Sequence, residues 1–404
     1  MKLFAMEHLK IINFGAVESA EIEIKKYNIF IGDTSSGKST VAKLITIFNS
    51  FDFYKIKEND FESFFDLLER YNICFAFEES TIIEYNTKGY FWKISKNKFH
   101  TNYYYDDYND ADLIELGNEF KFIEFIKKYI NKEIDEDSHA NFLDPIILKT
   151  IYNNRNPPMY IPAERILIST FTNSIFSLLQ AGINIPTCIK DFGSAYEKAR
   201  TYYSNIDIDI MNISVSFSKA GDTILLKDDN SKIRFSQSSS GMQSVIPLWT
   251  VFNQYVKDNN GDESEKRRII IIEEPELNLF PTTQVALMEW MMGKMKKSKG
   301  SIVITTHSPY ILSAIDNLIL ANEVATKATN NKDKKRLKKL EKLLPSMALV
   351  DFNEVSSYLF SSNGIVKDIA DKELKLLGAE YIDEASNKTS KLFNDLCKLE
   401  DDEL

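Results

Sequence analysis

Cysteine is nearly missing from this 404-residue sequence: Cys74, Cys188 and Cys397 are far apart and form no CxxC or CxxH spacing. That excludes a disulfide scaffold and a cysteine-built zinc site, and it fits a reducing compartment. Long apolar runs are missing too. None approaches the roughly 18 residues that a bilayer crossing needs, and the opening MKLFAMEHLKIINFG turns polar too soon for a signal-peptide core. The expectation is a cytoplasmic protein with no membrane partner. Positive charge is not in excess: 49 Lys+Arg stand against 59 Asp+Glu, a net charge of −10, so any nucleic-acid contact has to be local. What the chain does have is apolar mass. It is 44% hydrophobic with 27 Phe and 19 Tyr, which excludes a mainly disordered or fibrous chain. Its length suits two or three domains, or one large domain with insertions.

Residues 8–31 alternate apolar and polar around the Phe14-Gly15 turn and read as short strands. After Gly37, the apolar positions Val41, Leu44, Ile45 and Ile47–Phe48 approach a helical period. From 52 to 158 the character changes to clustered aromatics and acids, expected as an insertion, part hairpin (75–100) and part helix (112–132). Its DDYNDAD stretch, Asp106–Asp112, lacks the central Gly and distal Glu of a calcium loop and reads as a solvated acidic loop. Met159–Pro162 is strand-like and 164–182 helical, and 213–229 form a hairpin turned at Ala220-Gly221. Ile269–Ile272 and Ile302–Thr305 are apolar, β-branched runs suited to strands buried on both faces, with an amphipathic helix around 281–297 between them. From 323 the tail is expected to be helix-rich, with a Lys-rich stretch at 327–342.

The sharpest signal is Gly32-Asp33-Thr34-Ser35-Ser36-Gly37-Lys38-Ser39, a full GxxxxGK[ST] pattern between a strand (Tyr27–Ile31) and a helix. Glycines let backbone N–H groups approach phosphate oxygens, and the helix N-terminus adds free donors and a favourable dipole. Lys38 is placed to reach the β- and γ-phosphates and the Ser39 hydroxyl to ligate Mg²⁺. The run Ile269–Ile272 ends in Glu273-Glu274-Pro275-Glu276, which puts carboxylates at a strand's C-terminal edge, where open α/β sheets bind ligands. Glu273 is assigned to the metal and Glu274 to the attacking water. His307 follows the strand SIVITT. A lone histidine there is commonly structural, but its place one strand after the acid pair assigns it to sensing the γ-phosphate. Ser238-Ser239-Ser240-Gly241-Met242-Gln243-Ser244 presents another Ser/Gly turn at a helix start, an anion-binding arrangement that ordinary helix caps share.

The order of these motifs resembles the ABC-type ATPases of the RecF/SMC-like branch, and most of all the OLD-like ATPases of bacterial antiphage defence. LKIINFGAVESAEIEI leading into NIFIGDTSSGKST looks like that branch's opening strands. EEPELNLFP and ITTHSPYIL look like its Walker B, D-loop and switch-histidine segments, and YIPAER like a strand common there. The likeness covers roughly 1–50 and 158–320. It implies an α/β P-loop ATPase fold with a mixed central β-sheet flanked by helices, a helical/β insertion and a helical C-terminal tail. The expected division is 1–51 as the N-terminal part of the ATPase core, 52–158 as the insertion, 159–322 as the rest of the core, and 323–404 as a helical region.

At matching positions the resemblance implies that Gly32 to Thr40 bind ATP, that Glu273 and Glu274 serve metal and water, and that His307 is the switch histidine. Ser239, Ser240, Gly241 and Gln243 would act on the ATP of a partner subunit, in a head-to-tail pair. The chain departs from the pattern in three ways. Met242 replaces the signature's second glycine, Glu273 replaces the usual Walker B aspartate, and no Q-loop glutamine stands out, Glu164 and Arg165 being nearest. About 200 residues without sustained heptads separate phosphate loop and signature, too few for an SMC coiled coil. No Asp-x-Asp cluster of a Toprim nuclease follows His307. The implied function is an ATPase subunit resembling those of PARIS-type or Septu-type defence systems, forming a homodimer or higher homo-oligomer and regulating a separate effector nuclease. The alternative is a RecF-like DNA-binding ATPase of DNA repair, supported by the basic residues of 327–342, whose other reading is a solvated helix. A transporter subunit fits least.

Overall fold

The computed structural model describes residues 7–87, 90–103, 157–171, 185–218, 221–258, 268–296, 298–344, 346–378 and 390–396. The acidic stretches at 106–112 and 133–137, the expected helix at 112–132, positions 172–182 of the one expected at 164–182, Ala220 and Cys397 lie outside them. Strands β1 (Glu7–Phe14) and β2 (Val17–Ile24) form a hairpin, with Leu9, Ile11, Val17 and Ile22 turned inward as the alternation demands. β3 (Tyr27–Gly32) follows and leaves that sheet. β4 (Phe77–Thr87), β5 (Tyr90–Ser95) and β6 (Lys98–Tyr103) extend the hairpin into a five-stranded antiparallel sheet, order β2-β1-β4-β5-β6. Residues 77–103 therefore share one sheet with the N-terminal strands.

β7 (Met159–Ile161) returns the chain to β3's sheet. Beyond it β8 (Asn205–Ile208), β9 (Ile213–Ser216), β10 (Thr223–Leu226) and β11 (Lys232–Arg234) make a small antiparallel sheet. β12 (Ile269–Glu273), β13 (Ser301–Thr306), β14 (Val355–Phe360) and β15 (Val366–Asp368) complete the central sheet, order β15-β14-β3-β13-β12-β7. Within it all neighbours are parallel except β14 and β15. It is a mixed α/β sheet with helices on its faces.

The isoleucine run of β12 shows why continuous apolar stretches belong here. Ile269 and Ile271 face one core cluster, and Ile270 and Ile272 face the other. The first cluster lies between the central sheet and the five-stranded antiparallel sheet, with helix Lys38–Phe48 inside it. Val41, Leu44, Ile45, Ile47 and Phe48 on that helix are all fully buried. A helix apolar on most of its circumference is one wedged between layers.

The C-terminal region differs from the expected helical tail. Helices Pro309–Asn330 and Lys334–Leu343 are present, but β14 then enters the middle of the central sheet, paired with β3 from Val355↔Tyr27 to Phe360↔Gly32. Ser356 and Ser357 break its apolar pattern, yet both are buried, and the Ser356 hydroxyl donates to Asn28 Oδ1 at 2.7 Å. A satisfied hydroxyl is tolerated in a core and hides a buried strand from a hydrophobicity scan. Among the described residues no helix is long and apolar enough to cross a membrane.

Phe48 stacks on Tyr85 at 4.5 Å and meets Phe53 edge-on at 4.7 Å. Phe48→Ala is expected to cost about 3–5 kcal/mol of unfolding free energy. Urea denaturation measures this, and a loss below about 1 kcal/mol would contradict the wedged position of the helix.

Candidate active site

Parallel pairing brings three strand ends level. Phe30 pairs with Thr305 and Thr305 with Glu273, while Ile31 pairs with Thr306. The next residues are Gly32, Glu274 and His307, so phosphate loop, acid pair and histidine leave the sheet at one edge. Gly32 is obligatory for a packing reason: a Cβ there would lie 2.1 Å from the Phe360 carbonyl oxygen. Gly37, left-handed, caps helix Lys38–Phe48.

Asp33, Thr34 and Ser35 are exposed, Ser36 and Lys38 buried, and Ser39 and Thr40 half-buried on the first helical turn. The Lys38 ammonium is folded back onto its own loop. It donates to the Gly32 carbonyl at 3.0 Å, the Asp33 carbonyl at 2.6 Å and Ser36 Oγ at 3.4 Å. Burial pushes its amine down to about 8, against the opposing pull of Glu274, Asp33 and Glu276.

The buried Glu273 accepts the Ala163 N–H at 3.2 Å through Oε2, while its buried Oε1 makes no well-formed hydrogen bond, with the buried Tyr160 hydroxyl close to the carboxylate. Such an orphaned carboxylate oxygen fits a cation or its water shell. Glu274 is half-buried with its Oε1 3.3 Å from His307 Nε2. Its backbone is left-handed, φ 42°, a conformation that costs a non-glycine residue about 1–3 kcal/mol. The Glu274 N–H donates to the Thr305 carbonyl at 2.9 Å, and the chain turns there.

Two residues without an assigned role organise this edge. Glu276 is buried, which pushes its carboxyl up, and it accepts from Thr306 Oγ1 at 2.6 Å and the His307 N–H at 2.9 Å. It thereby fixes the His307 backbone. Arg165 is fully buried. Its Nε donates to the Ser244 carbonyl (3.1 Å), and its terminal nitrogens donate to the carbonyls of Pro162 (3.1 Å), Glu273 (2.7 Å) and Glu274 (2.6 Å). Burial pulls the guanidinium down to about 10, opposed first by Glu276 and then by Glu274 and Glu273. The acids neighbouring it keep it charged at neutral pH. Glu164 beside it is exposed.

The serine-rich turn lies apart from the phosphate loop in its contacts. Ser239 and Ser240 are exposed, and Ser240 opens the helix Ser240–Asp258. A Cβ on Gly241 would sit 2.9 Å from the Asn278 carbonyl, so this turn abuts the loop after the acid pair. Gln243 is occupied within its own chain. Its Nε2 donates to the Ser238 carbonyl at 2.9 Å, and its Oε1 accepts from Ser169 Oγ at 2.9 Å. Thus Gly32, Glu273, Glu274 and His307 come together at one sheet edge, and the turn at Ser239–Gly241 adjoins the loop after the acid pair. Glu276 escapes a sequence scan because it is one acid among three. Arg165 is legible in the sequence as one of the two residues nearest the Q-loop position, within YIPAER, but its role as a clamp on main-chain carbonyls is not.

A family model described as an AAA ATPase domain matches residues 165–312, a span running from Arg165 past His307 but starting after the phosphate loop. No curated protein matches the chain. Among solved structures the chain is similar to the SMC head domain from Thermotoga maritima, at 10% identity and TM-score 0.36 over 77% of this chain and 92% of that one. It is also similar to an SmcHead bound to the C-winged helix domain of ScpA, at 11% and 0.37 over 76% and 91%. A Smc head with an extended coiled coil, bound to the C-terminal domain of ScpA from Pyrococcus furiosus, matches at 12% and 0.34 over 76% and 91%. The matched span carries an ATPase domain, and the sheet edge beside it brings the phosphate loop and the acid pair together.

The Lys38 amine yields a pH prediction. Phosphates favour its charged form, so its value rises in the complex and binding takes up a proton above pH 8. ATP affinity should be flat below about pH 7 and fall by up to about tenfold per unit above about 8. Calorimetric titration in buffers of different ionisation enthalpy measures both; affinity unchanged to about pH 9 would contradict it.

Proposed function

We propose that the chain binds ATP with magnesium at Gly32–Thr40, hydrolyses it with Glu274 as the water-orienting base, and pairs with a second copy whose Ser239, Ser240 and Gly241 complete the site. The observation that carries this is the Glu274–His307 pair beside an orphaned Glu273 carboxylate, at the same sheet edge as the Lys38 loop. Lys38 exchanges its two loop carbonyls for phosphate oxygens. The Ser39 hydroxyl and Glu273 would hold Mg²⁺, which when bound neutralises phosphate charge. Glu274 accepts the proton of the attacking water, and His307, fixed through Glu276, aligns Glu274. Gln243 stays a strut within its own chain. Paired copies would control a separate effector nuclease in antiviral defence, a role supported by the likeness of EEPELNLFP and ITTHSPYIL to OLD-like ATPases.

Glu274→Gln is expected to keep ATP affinity, to lower turnover by about 10²–10⁴-fold and to accumulate paired chains with ATP. Phosphate release and light-scattering mass measure these effects. Turnover equal to wild type would remove Glu274 from its role, and a monomer with a non-hydrolysable analogue would remove the pairing.

A second reading, the DNA-binding ATPase, is favoured by one surface. Leu337 and Leu340 turn helix Lys334–Leu343 inward, leaving Lys334, Lys335, Arg336, Lys338, Lys339 and Lys342 exposed. If this face takes nucleic acid, Lys335, Lys338, Lys339 and Lys342 all changed to Glu should abolish a salt-dependent association seen by fluorescence anisotropy. Equal binding by both proteins would leave the face a solvated one.

A further inference from the structure

The geometry points to Arg165 as the positioning residue that couples the serine-rich helix to the acid pair, setting the backbone of Glu274 according to where helix Ser240–Asp258 sits. This rests on the reading of Glu274 as the base. Its four hydrogen bonds all end on main-chain carbonyls, and these belong to three separate segments: the turn after β7, the end of β12, and the first turns of the signature helix. A guanidinium presents fixed, divergent donors in one plane, which a lysine ammonium cannot reproduce. Two of the carbonyls belong to the residues whose side chains meet metal and water. One of them, Glu274, is held in the left-handed conformation at φ 42°. The Glu274 carbonyl also accepts the Leu277 N–H at 3.0 Å and its N–H is held by Thr305, so loss of the 2.6 Å bond from Arg165 loosens this turn rather than freeing it, and shifts the carboxylate relative to His307.

A second link joins the same two segments. The Ser169 hydroxyl, one helical turn past Arg165, lies 2.9 Å from Gln243 Oε1, on the residue before Ser244, and shares its one proton between that oxygen and the Ile166 carbonyl at 2.8 Å. Two bonds from the 163–169 segment therefore hold the start of the signature helix, and one residue carries that hold to Glu274. A partner engaging Ser239–Gly241 displaces this helix, and Arg165 transmits the displacement to the base, so that hydrolysis waits for pairing.

The test is Arg165→Lys in the full chain. ATP affinity and KM should stay within about threefold of wild type, because the Lys38 loop is untouched, while kcat falls by about tenfold or more. In an E274Q background the same substitution should cost far less than in the wild-type chain, since the coupling runs chiefly through Glu274. Unchanged kcat, an equal loss of ATP affinity, or losses that multiply would each overturn the coupling. An active E274Q single variant would instead overturn the role of Glu274. Should Arg165→Lys fail to fold, hydrogen exchange of the wild-type protein titrated with ATP and magnesium decides. Peptides covering 238–248 and 270–278 should change together with one midpoint, and a change in only one of them would contradict the link.

Discussion

Everything at this site depends on the in-register parallel pairing of β3, β13 and β12. Because Phe30, Thr305 and Glu273 lie in one row, the loops after them leave the sheet level with one another. No flexible segment has to reach across. Parallel strands with all ends on one side are the arrangement in which open α/β sheets build ligand sites. β14 stiffens the row from the other side by pairing with the whole of β3, and its Phe360 carbonyl leaves no room for a side chain at Gly32. The wedge helix anchors the phosphate loop between two sheets, so the backbone donors are fixed before any nucleotide arrives.

Some groups of the site are satisfied from within, while Glu273 Oε1 and Glu276 Oε2 are buried without a well-formed hydrogen bond. Lys38 is neutralised locally by loop carbonyls, and buried Glu276 is spent on the Thr306 hydroxyl and the His307 amide. Strain collects at Glu274, the one acid of the cluster with a left-handed backbone, and the buried guanidinium offsets it. Burying a charge this deeply is costly unless its donors are used. Here they are, on four main-chain carbonyls, of which that of Glu274 also accepts the Leu277 N–H at 3.0 Å.

Much of this was legible in the sequence because the relevant physics is local. Four consecutive isoleucines suit a strand covered on both faces, and a Gly/Ser loop between such a strand and an amphipathic stretch announces an anion cradle. The acid pair was legible by position alone. What escaped was set by long-range packing. Ser356 and Ser357 mask a central strand because the hydroxyl of the first is satisfied by Asn28, more than three hundred positions away. Arg165 carries no periodic signal, since its role comes from carbonyls at 244, 273 and 274. Gln243 reads in sequence as a residue for a partner's nucleotide, whereas the fold spends it on Ser169. The return of residues 77–103 to the N-terminal sheet was equally hidden, because a hairpin's own alternation does not say which edge it joins.

On this reading one sheet edge assembles phosphate loop, metal carboxylate and base around a single nucleotide. A crystal structure with magnesium and a non-hydrolysable ATP analogue tests it most directly. A triphosphate should lie along residues 32–39, with Lys38 turned from the Gly32 and Asp33 carbonyls onto phosphate and an ion between the Ser39 hydroxyl and the Glu273 carboxylate. A nucleotide bound elsewhere, or one leaving Lys38 on its own loop, would contradict it.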